Sequence, residues 1–162
     1  MALTKLNYTG QGTIPSAKMP TGSVIQVVST TYQTEATTTS TSFVDTGLTF
    51  SITPQFSSSK VFINVSQAFA FAQSTENQWQ GNLIIADGSN NVIFGGTGYD
   101  QFRIKNAFAL GWQTNLQVLH SPNTTSSFTY KTRMKAVLSG TNVYAQYAGS
   151  APSSITLMEI AG

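Results

Sequence analysis

The sequence predicts an all-β protein: an antiparallel, jelly-roll-like β-sandwich of about nine strands with an extended N-terminal arm. Apolar residues repeat with the period of two that is typical of half-buried strands, and no segment shows a convincing helical period. Clusters of turn-forming residues separate these runs at short intervals, as in sandwiches and barrels. Because no helices are expected to cover a parallel sheet, the antiparallel arrangement is favoured.

The composition of the 162-residue chain agrees with one β-rich domain. Only 9% of the residues are charged, against roughly 25% in ordinary soluble domains. Neutral side chains supply the polarity instead, with 23 threonines and 19 serines. Threonine favours strands and serine favours turns. The sparse charge indicates a surface that neighbouring chains largely cover.

The first 23 residues show no periodicity and are rich in glycine and proline, which interrupt helices and strands. We therefore expect an extended attachment arm over residues 1–23 and a β-sandwich domain over residues 24–162. The apolar side chains of the arm are expected to bind a partner, and they are Leu3, Leu6, Tyr8, Ile14 and Met19.

Three strands are expected in the first part of the sandwich domain. Residues 24–32 form a β-branched run, and residues 48–52 alternate between apolar and polar up to Pro54, which ends the strand. The threonine-rich residues 37–41 indicate a loop or an edge. The third strand is expected to place these apolar side chains on one face: Val61, Ile63, Val65, Phe69 and Phe71.

The second part begins with a predicted hairpin, in which residues 83–86 and 92–94 flank the polar loop 87–91. A long strand follows from Phe128, and its expected inward side chains are Phe128, Tyr130, Met134, Ala136 and Leu138. Further runs with strand character are residues 104–112, 116–120, 143–148 and 155–160.

Basic residues are concentrated late in the chain. Lys131, Arg133 and Lys135 alternate along one predicted strand, so their side chains share one face at spacings of about 7 Å. Arg103 and Lys105 repeat the pattern on an earlier strand. This pattern is typical of a solvated face that discourages edge pairing, of a contact with a protein partner, or of an anion-binding face. A net charge of +2 argues against nucleic-acid binding.

No constellation predicts catalysis or a metal site. His120 is the single histidine, the six carboxylates are scattered, and cysteine is absent. The run Gly95-Gly96-Thr97-Gly98 lacks the spacing and the helix of a phosphate-binding loop. We therefore expect neither an enzyme nor a cofactor. Without a long apolar run or a signal peptide, membrane insertion is not expected either.

Two aromatic residues are candidates for exposed contacts. Trp79 lies in the polar stretch 73–80, and Tyr99 lies in a glycine-rich segment. Such side chains serve as contacts between subunits or as platforms for sugars, and both interpretations stay open. Trp112 follows an apolar alternation and is expected in the core.

The order of several short motifs resembles a known group of proteins. Gly22-Ser23-Val24-Ile25-Gln26-Val27-Val28 is followed by Ser42-Phe43-Val44-Asp45-Thr46-Gly47-Leu48 and Ser51-Ile52-Thr53-Pro54. Ser58-Ser59-Lys60-Val61 comes next, and Ser153-Ser154-Ile155-Thr156-Leu157-Met158-Glu159-Ile160 closes the series. Together these motifs resemble small β-rich virion structural proteins of tailed, mostly marine bacteriophages, of the fibre or decoration type. Gly12-Thr13-Ile14-Pro15-Ser16-Ala17-Lys18 is similar to the stretch that precedes such modules.

This resemblance implies a non-enzymatic virion protein that is assembled in the cytoplasm of the host bacterium. It implies a homo-oligomer, a trimer, that contacts other capsid or tail proteins. One role is a surface fibre or spike-like component that is anchored by its arm and contacts the host, for example through a surface glycan. A head decoration or cement protein is the alternative, and a free carbohydrate-binding module is a third.

Overall fold

The computed structural model describes residues 19–72, 78–96, 102–105, 109–149 and 151–162. These residues form two antiparallel sheets that pack face to face, which confirms the predicted all-β sandwich. The strands run in chain order as β1 (Val24–Tyr32), β2 (Ala36–Thr38), β3 (Val44–Ile52), β4 (Lys60–Ala72), β5 (Gln78–Asp87), β6 (Val92–Phe94), β7 (Phe102–Lys105), β8 (Ala109–His120), β9 (Phe128–Ala136), β10 (Asn142–Ala145) and β11 (Ser153–Ile160).

The first sheet, here called sheet A, has six strands around the long strand β4. On one side β8 pairs with β4 from Val61 to Ala72. On the other side β11 pairs with the first half of β4 and β10 with its last four residues. β1 extends the sheet beyond β11, and β2 extends it beyond β10.

The second sheet, sheet B, has five strands in the order β3-β9-β5, followed by β6 and β7. β6 and β7 pair with different parts of β5. Among the described strands, only β5 and β6 are both paired and consecutive in the sequence. The sandwich is therefore held together by contacts between distant parts of the chain.

The hydrophobic core lies between the sheets and follows the predicted alternation. Every second residue of β4 and β9 points inward, because side chains alternate between the two faces of a strand. Full burial of these apolar groups supplies the main stabilisation of the fold. The fully buried core side chains include Leu48, Val61, Ile63, Val65, Phe71, Leu83, Ile85, Tyr130, Met134, Ile155 and Leu157.

The predicted hairpin over residues 83–94 is confirmed, and Asp87 stabilises its loop. One oxygen of the Asp87 carboxylate accepts hydrogen bonds from the backbone N–H groups of Ser89 and Asn91, each at 2.8 Å. Slight burial acts to raise the pKa of Asp87, but hydrogen bonds from Asn91 and Ser89 outweigh it and lower the pKa.

Several predicted boundaries were wrong. The chain is continuous strand from Ala109 to His120, with no break after Trp112. β9 ends at Ala136, so Leu138 lies in the following turn and is exposed instead of facing inward. β10 ends at Ala145 because the next residue, Gln146, has a positive φ of 53° and begins a turn. A short 3-10 helix, Tyr147–Gly149, occupies the rest of that predicted strand.

The first strand of the sandwich, β1, begins at Val24. Residues 1–18 of the predicted arm lie outside the described residues, so the arm stays a prediction. The described end of the arm is tied to the last strand: the Gly22 N–H donates to the carbonyl of Ala161 at 2.8 Å, and the Ala161 N–H donates to the carbonyl of Ser23 at 2.8 Å.

Candidate functional site: the outer faces of the sandwich

The outer face of sheet B carries the basic side chains of β9. Lys131, Arg133 and Lys135 alternate with buried residues, and their side chains share the outer face as the spacing predicts. Lys135 lies over the ring of Phe43, with its Nζ atom 4.9 Å from the ring centre. Whether this face binds an anionic partner stays a prediction.

Asp45 on the neighbouring strand β3 is shared by two of these basic side chains. Its carboxylate accepts hydrogen bonds from Lys131 Nζ at 2.9 Å and from Arg133 Nε at 2.7 Å. Partial burial acts to raise the pKa of Asp45, but the hydrogen bonds and charges of Lys131 and Arg133 outweigh it and hold the pKa below its ordinary value. One negative charge therefore offsets part of the basic row, a contact that the sequence analysis did not foresee.

The other two predicted basic residues belong to the same sheet. In the strand register, Arg103 of β7 lies opposite Gln80 of β5, and Lys105 lies opposite Gln78. On its other side β5 pairs with β9, which carries the basic row. The fold thus brings both basic strands into one sheet, separated by β5. The side chains of Arg103 and Lys105 lie outside the described part of the structure.

The outer face of sheet A has a different character. An apolar row crosses four adjacent strands, because the register places Val27 beside Met158, Met158 beside Phe62, and Phe62 beside Leu119. Val27 is 54% exposed and Leu119 is 50% exposed, while the two side chains between them are half-buried. Val24 extends this patch at its end of the sheet and is also exposed.

Neutral polar rows cover the rest of this face. The next row is Ser29, Thr156, Asn64 and Gln117, in which the Gln117 side-chain amide donates to Asn64 Oδ1 at 3.2 Å. The row after it is Thr31, Ser154, Ser66 and Asn115. On the described outward positions of β1, β11, β4 and β8, Lys60 is the single charged side chain. We call this surface the neutral face.

A network of neutral polar side chains, which the sequence analysis missed, is buried between the sheets. Gln67 lies at its centre: its Oε1 accepts from the Thr132 hydroxyl at 2.8 Å, and its Nε2 donates to Ser153 Oγ at 2.7 Å. The Thr46 hydroxyl hydrogen-bonds that of Thr132. The amide of Gln146 accepts from Gln67 Nε2 and from Ser153, and donates to backbone carbonyls.

This polar network lies where the partner of β4 changes from β11 to β10. The Ala68 N–H donates to Ser153 Oγ at 2.9 Å, so a side chain satisfies a backbone group at the junction. A sequence signal for the network does exist. Gln67 interrupts the inward apolar positions of β4, and Thr132 interrupts those of β9.

His120 joins the two sheets near their edge. Its Nδ1 lies 3.0 Å from the hydroxyl oxygen of Tyr130, and its ring packs against Phe128. Burial lowers the pKa of His120, and the negative charge of Asp87 opposes this only in part. Burial also raises the pKa of Tyr130. His120 and Tyr130 are therefore both uncharged near neutral pH, and they pack against each other between the two sheets.

Of the predicted aromatic contacts, the structure describes little. Tyr99 lies outside the described residues. The backbone of Trp79 belongs to β5 and pairs with Ile104. The Trp79 side chain lies outside the described part. Trp112 packs against the core as predicted, with its ring centre 5.5 Å from that of Phe71.

The arm residues Leu3, Leu6, Tyr8 and Ile14 also lie outside the described residues, and Met19 is half-buried. In the part of the chain that the structure describes, no three His, Cys, Asp or Glu side chains are grouped to hold a metal ion. No helix within the described ranges is long and apolar enough to cross a membrane.

Comparisons with known proteins give similarities of fold alone. No protein-family model matches the sequence, and no curated protein sequence matches it either. Among solved structures, the chain is similar to that of infectious bursal virus derived T=1 particles, with a TM-score of 0.43, 9% identity, and coverage of 94% of this chain and 40% of that one. The infectious bursal disease virus VP2 subviral particle gives a TM-score of 0.39, 9% identity, and coverage of 85% and 38%.

The chain thus spans about two fifths of the length of these virus proteins. At these low TM-scores, the likeness assigns neither a family nor a function to the chain.

Proposed function

We propose that this chain is a non-enzymatic structural subunit of a bacteriophage virion, a trimeric surface fibre or spike-like component. Residues 1–23 attach it to a capsid or tail protein, and the sandwich projects outward and contacts the host surface, for example a glycan. The chain is assembled into particles in the cytoplasm of the host bacterium.

The apolar row of the neutral face carries this proposal. The row lies across four strands and is half exposed at both ends, and contiguous apolar surface of this kind is typical of a face on which a neighbouring subunit packs. The half-exposed Val27 and Leu119 lie at the two ends of this row. The motif order that resembles phage virion proteins agrees with a role as a building block.

A head decoration or cement protein is the second candidate, and the same observation favours it. A neutral face with an apolar row also suits a subunit that lies flat across neighbouring capsid proteins. The two roles differ in where the chain lies on the particle. A fibre is found at the tail or projects from the particle, while a cement protein is spread over the head and its loss weakens the capsid.

Immunogold electron microscopy of intact particles tests the proposal. Antibodies against the purified chain are applied to particles of the phage that encodes it, with preimmune serum and serum preabsorbed on the pure chain as controls. Label on the tail or on projecting fibres supports the first role, and label spread over the head supports decoration. Particles without label, from a lysate in which immunoblotting detects the chain, would overturn the virion proposal. Binding on a glycan array would then favour the free carbohydrate-binding module.

A further inference from the structure

We propose that a second copy of this chain docks on the neutral face, so that the outer face of sheet A turns toward the axis of a homo-oligomer. This inference rests on the proposed function, in which the chain is a subunit of an assembly. It specifies the surface that forms the contact and the molecule that binds there.

The apolar row supplies the attraction. Met158 and Phe62 lie in the middle of the row and are half-buried, while Val27 and Leu119 at its ends are about half exposed. Contact with a second molecule removes this apolar surface from water, which favours association roughly in proportion to the area buried. The row crosses β1, β11, β4 and β8, so it is wide enough to meet another sheet face or sheet edge.

The distribution of charge favours another copy as the occupant. In a cyclic oligomer, each residue near the axis lies close to its own copies, so a charged side chain there repels itself. The described outward positions of β1, β11, β4 and β8 carry one charge, Lys60, which lies beside Ile160 near the end of the face. The outer face of sheet B carries Asp45, Lys131, Arg133 and Lys135. Of the two outer faces, the neutral face therefore has the fewer described charges to bring close to their own copies.

The neutral polar rows agree with this occupant. Serine and threonine hydroxyls and the side-chain amides of asparagine and glutamine each both donate and accept hydrogen bonds. A face built from them can hydrogen-bond an identical face in more than one register. A partner with a strongly charged surface would find no complementary charge here, apart from Lys60.

Sedimentation velocity of the full chain tests the inference with matched variants. Leu119→Asp and Val27→Asp each place a charge on the apolar row. Leu138→Asp makes the same change at an exposed leucine in the turn after β9, away from the row. We expect an oligomer for the unchanged chain and for Leu138→Asp, and at least a tenfold weaker association for the two variants of the row. Equal association of all four proteins, or a monomeric unchanged chain, would overturn the inference.

Disulfide cross-linking keeps the test independent of how the aspartate variants fold. Because the chain has no cysteine, Leu119→Cys and Val27→Cys provide single reactive sites on the row. Ser51→Cys provides the control on the outer face of sheet B, where Ser51 is exposed. Mild oxidation should link copies through the sites of the row at least tenfold faster than through the control. Equal rates at all three sites would contradict the proposed contact.

Failure of this inference can be distinguished from failure of the proposed function. A chain that is monomeric in solution and nevertheless labelled on particles is a virion protein whose neutral face binds a different partner. That result rejects the second copy, and with it the proposed trimer, but leaves the location on the virion intact. If the chain forms an oligomer that depends on the row but is absent from particles, the contact between copies is supported and the virion role is rejected.

Discussion

At the scale of single residues, the buried polar network is the least expected feature. Gln67, Thr132 and Ser153 are fully buried, and each finds hydrogen-bond partners on the facing or neighbouring strand. Every member is neutral, so burial carries no penalty for a buried charge. A satisfied network of this kind fixes how the two sheets align, because a shift would leave several groups without partners.

Replacing Gln67 by methionine should therefore destabilise the fold. The substitution keeps the length of the side chain but removes the hydrogen bonds that Gln67 makes with Ser153, Thr132 and Gln146. We expect a loss of about 2 to 3 kcal/mol in the free energy of unfolding, measured with urea. The matched change Gln55→Met, at an exposed residue, should alter it by less than about 0.5 kcal/mol. Equal effects of the two variants would show that the network contributes little.

His120 gives the fold a defined pH dependence. Burial lowers the pKa of His120 in the folded state below the ordinary value of about 6.5 that applies when the chain is unfolded. The unfolded chain thus binds a proton more readily, and stability is lost as pH falls below about 6.5. His120→Gln should make the melting temperature depend less on pH between about pH 7.5 and pH 5.5. If the variant retains the full slope of the unchanged protein, other groups are responsible.

At the scale of elements, β3 contains a bulge that begins between the exposed Asp45 and the buried Thr46. Asp45 pairs with Arg133 and Thr49 pairs with Lys131, so the three residues between them on β3 face Thr132 alone. This bulge brings the Thr46 hydroxyl to Thr132. Gly47 has a positive φ of 89°, and the ring of Tyr32 covers the position that a Cβ atom would occupy.

Gly47→Ala should disturb this bulge by strain and by a clash with Tyr32. Gly22→Ala is the matched control, because Gly22 also has a positive φ, of 87°, but has open space around it. We expect about 1 kcal/mol of destabilisation for Gly22→Ala from the backbone alone, and about 2 to 3 kcal/mol for Gly47→Ala. Thermal and urea unfolding measure the difference. A Gly47→Ala protein as stable as the control would mean that Tyr32 moves aside at no cost.

At the scale of the whole molecule, charge is divided between the two faces. Sheet A presents the neutral face, while sheet B presents the basic row together with Asp45. Such a division is useful to a subunit that buries one face and exposes the other to solvent or to an acidic surface. The anionic partner of sheet B stays a prediction, and Asp45 offers a direct way to test it.

Asp45→Asn should increase the affinity of sheet B for polyanions, because it frees Lys131 and Arg133 from their shared carboxylate. Stability should change by less than about 1 kcal/mol, since the carboxylate is half exposed and such ion pairs contribute little. On a heparin column the variant should elute at higher salt than the unchanged protein. Glu35→Gln makes the same change in net charge at another exposed site. If both variants elute together, only net charge matters.

Local patterns in the sequence determined the fold class, the inward faces of β4 and most of β9, and the hairpin closed by Asp87. These features depend on the alternation of neighbouring residues and on turn chemistry, both of which are visible within a few positions. The ends of β9 and β10 were misplaced because Leu138 continues the apolar alternation of β9, and Tyr147 that of β10, after the backbone has turned away.

Only the tertiary structure decided which strands become neighbours. The apolar row combines residues 27, 62, 119 and 158, and the contact of Asp45 with Lys131 spans 86 positions. Each such pairing depends on competition between distant segments for the same strand edge, and no local pattern encodes the outcome. The sequence by itself therefore determined that this protein is a β-sandwich with little charge. The pairing of distant strands within the chain decided that one face is neutral and the other basic.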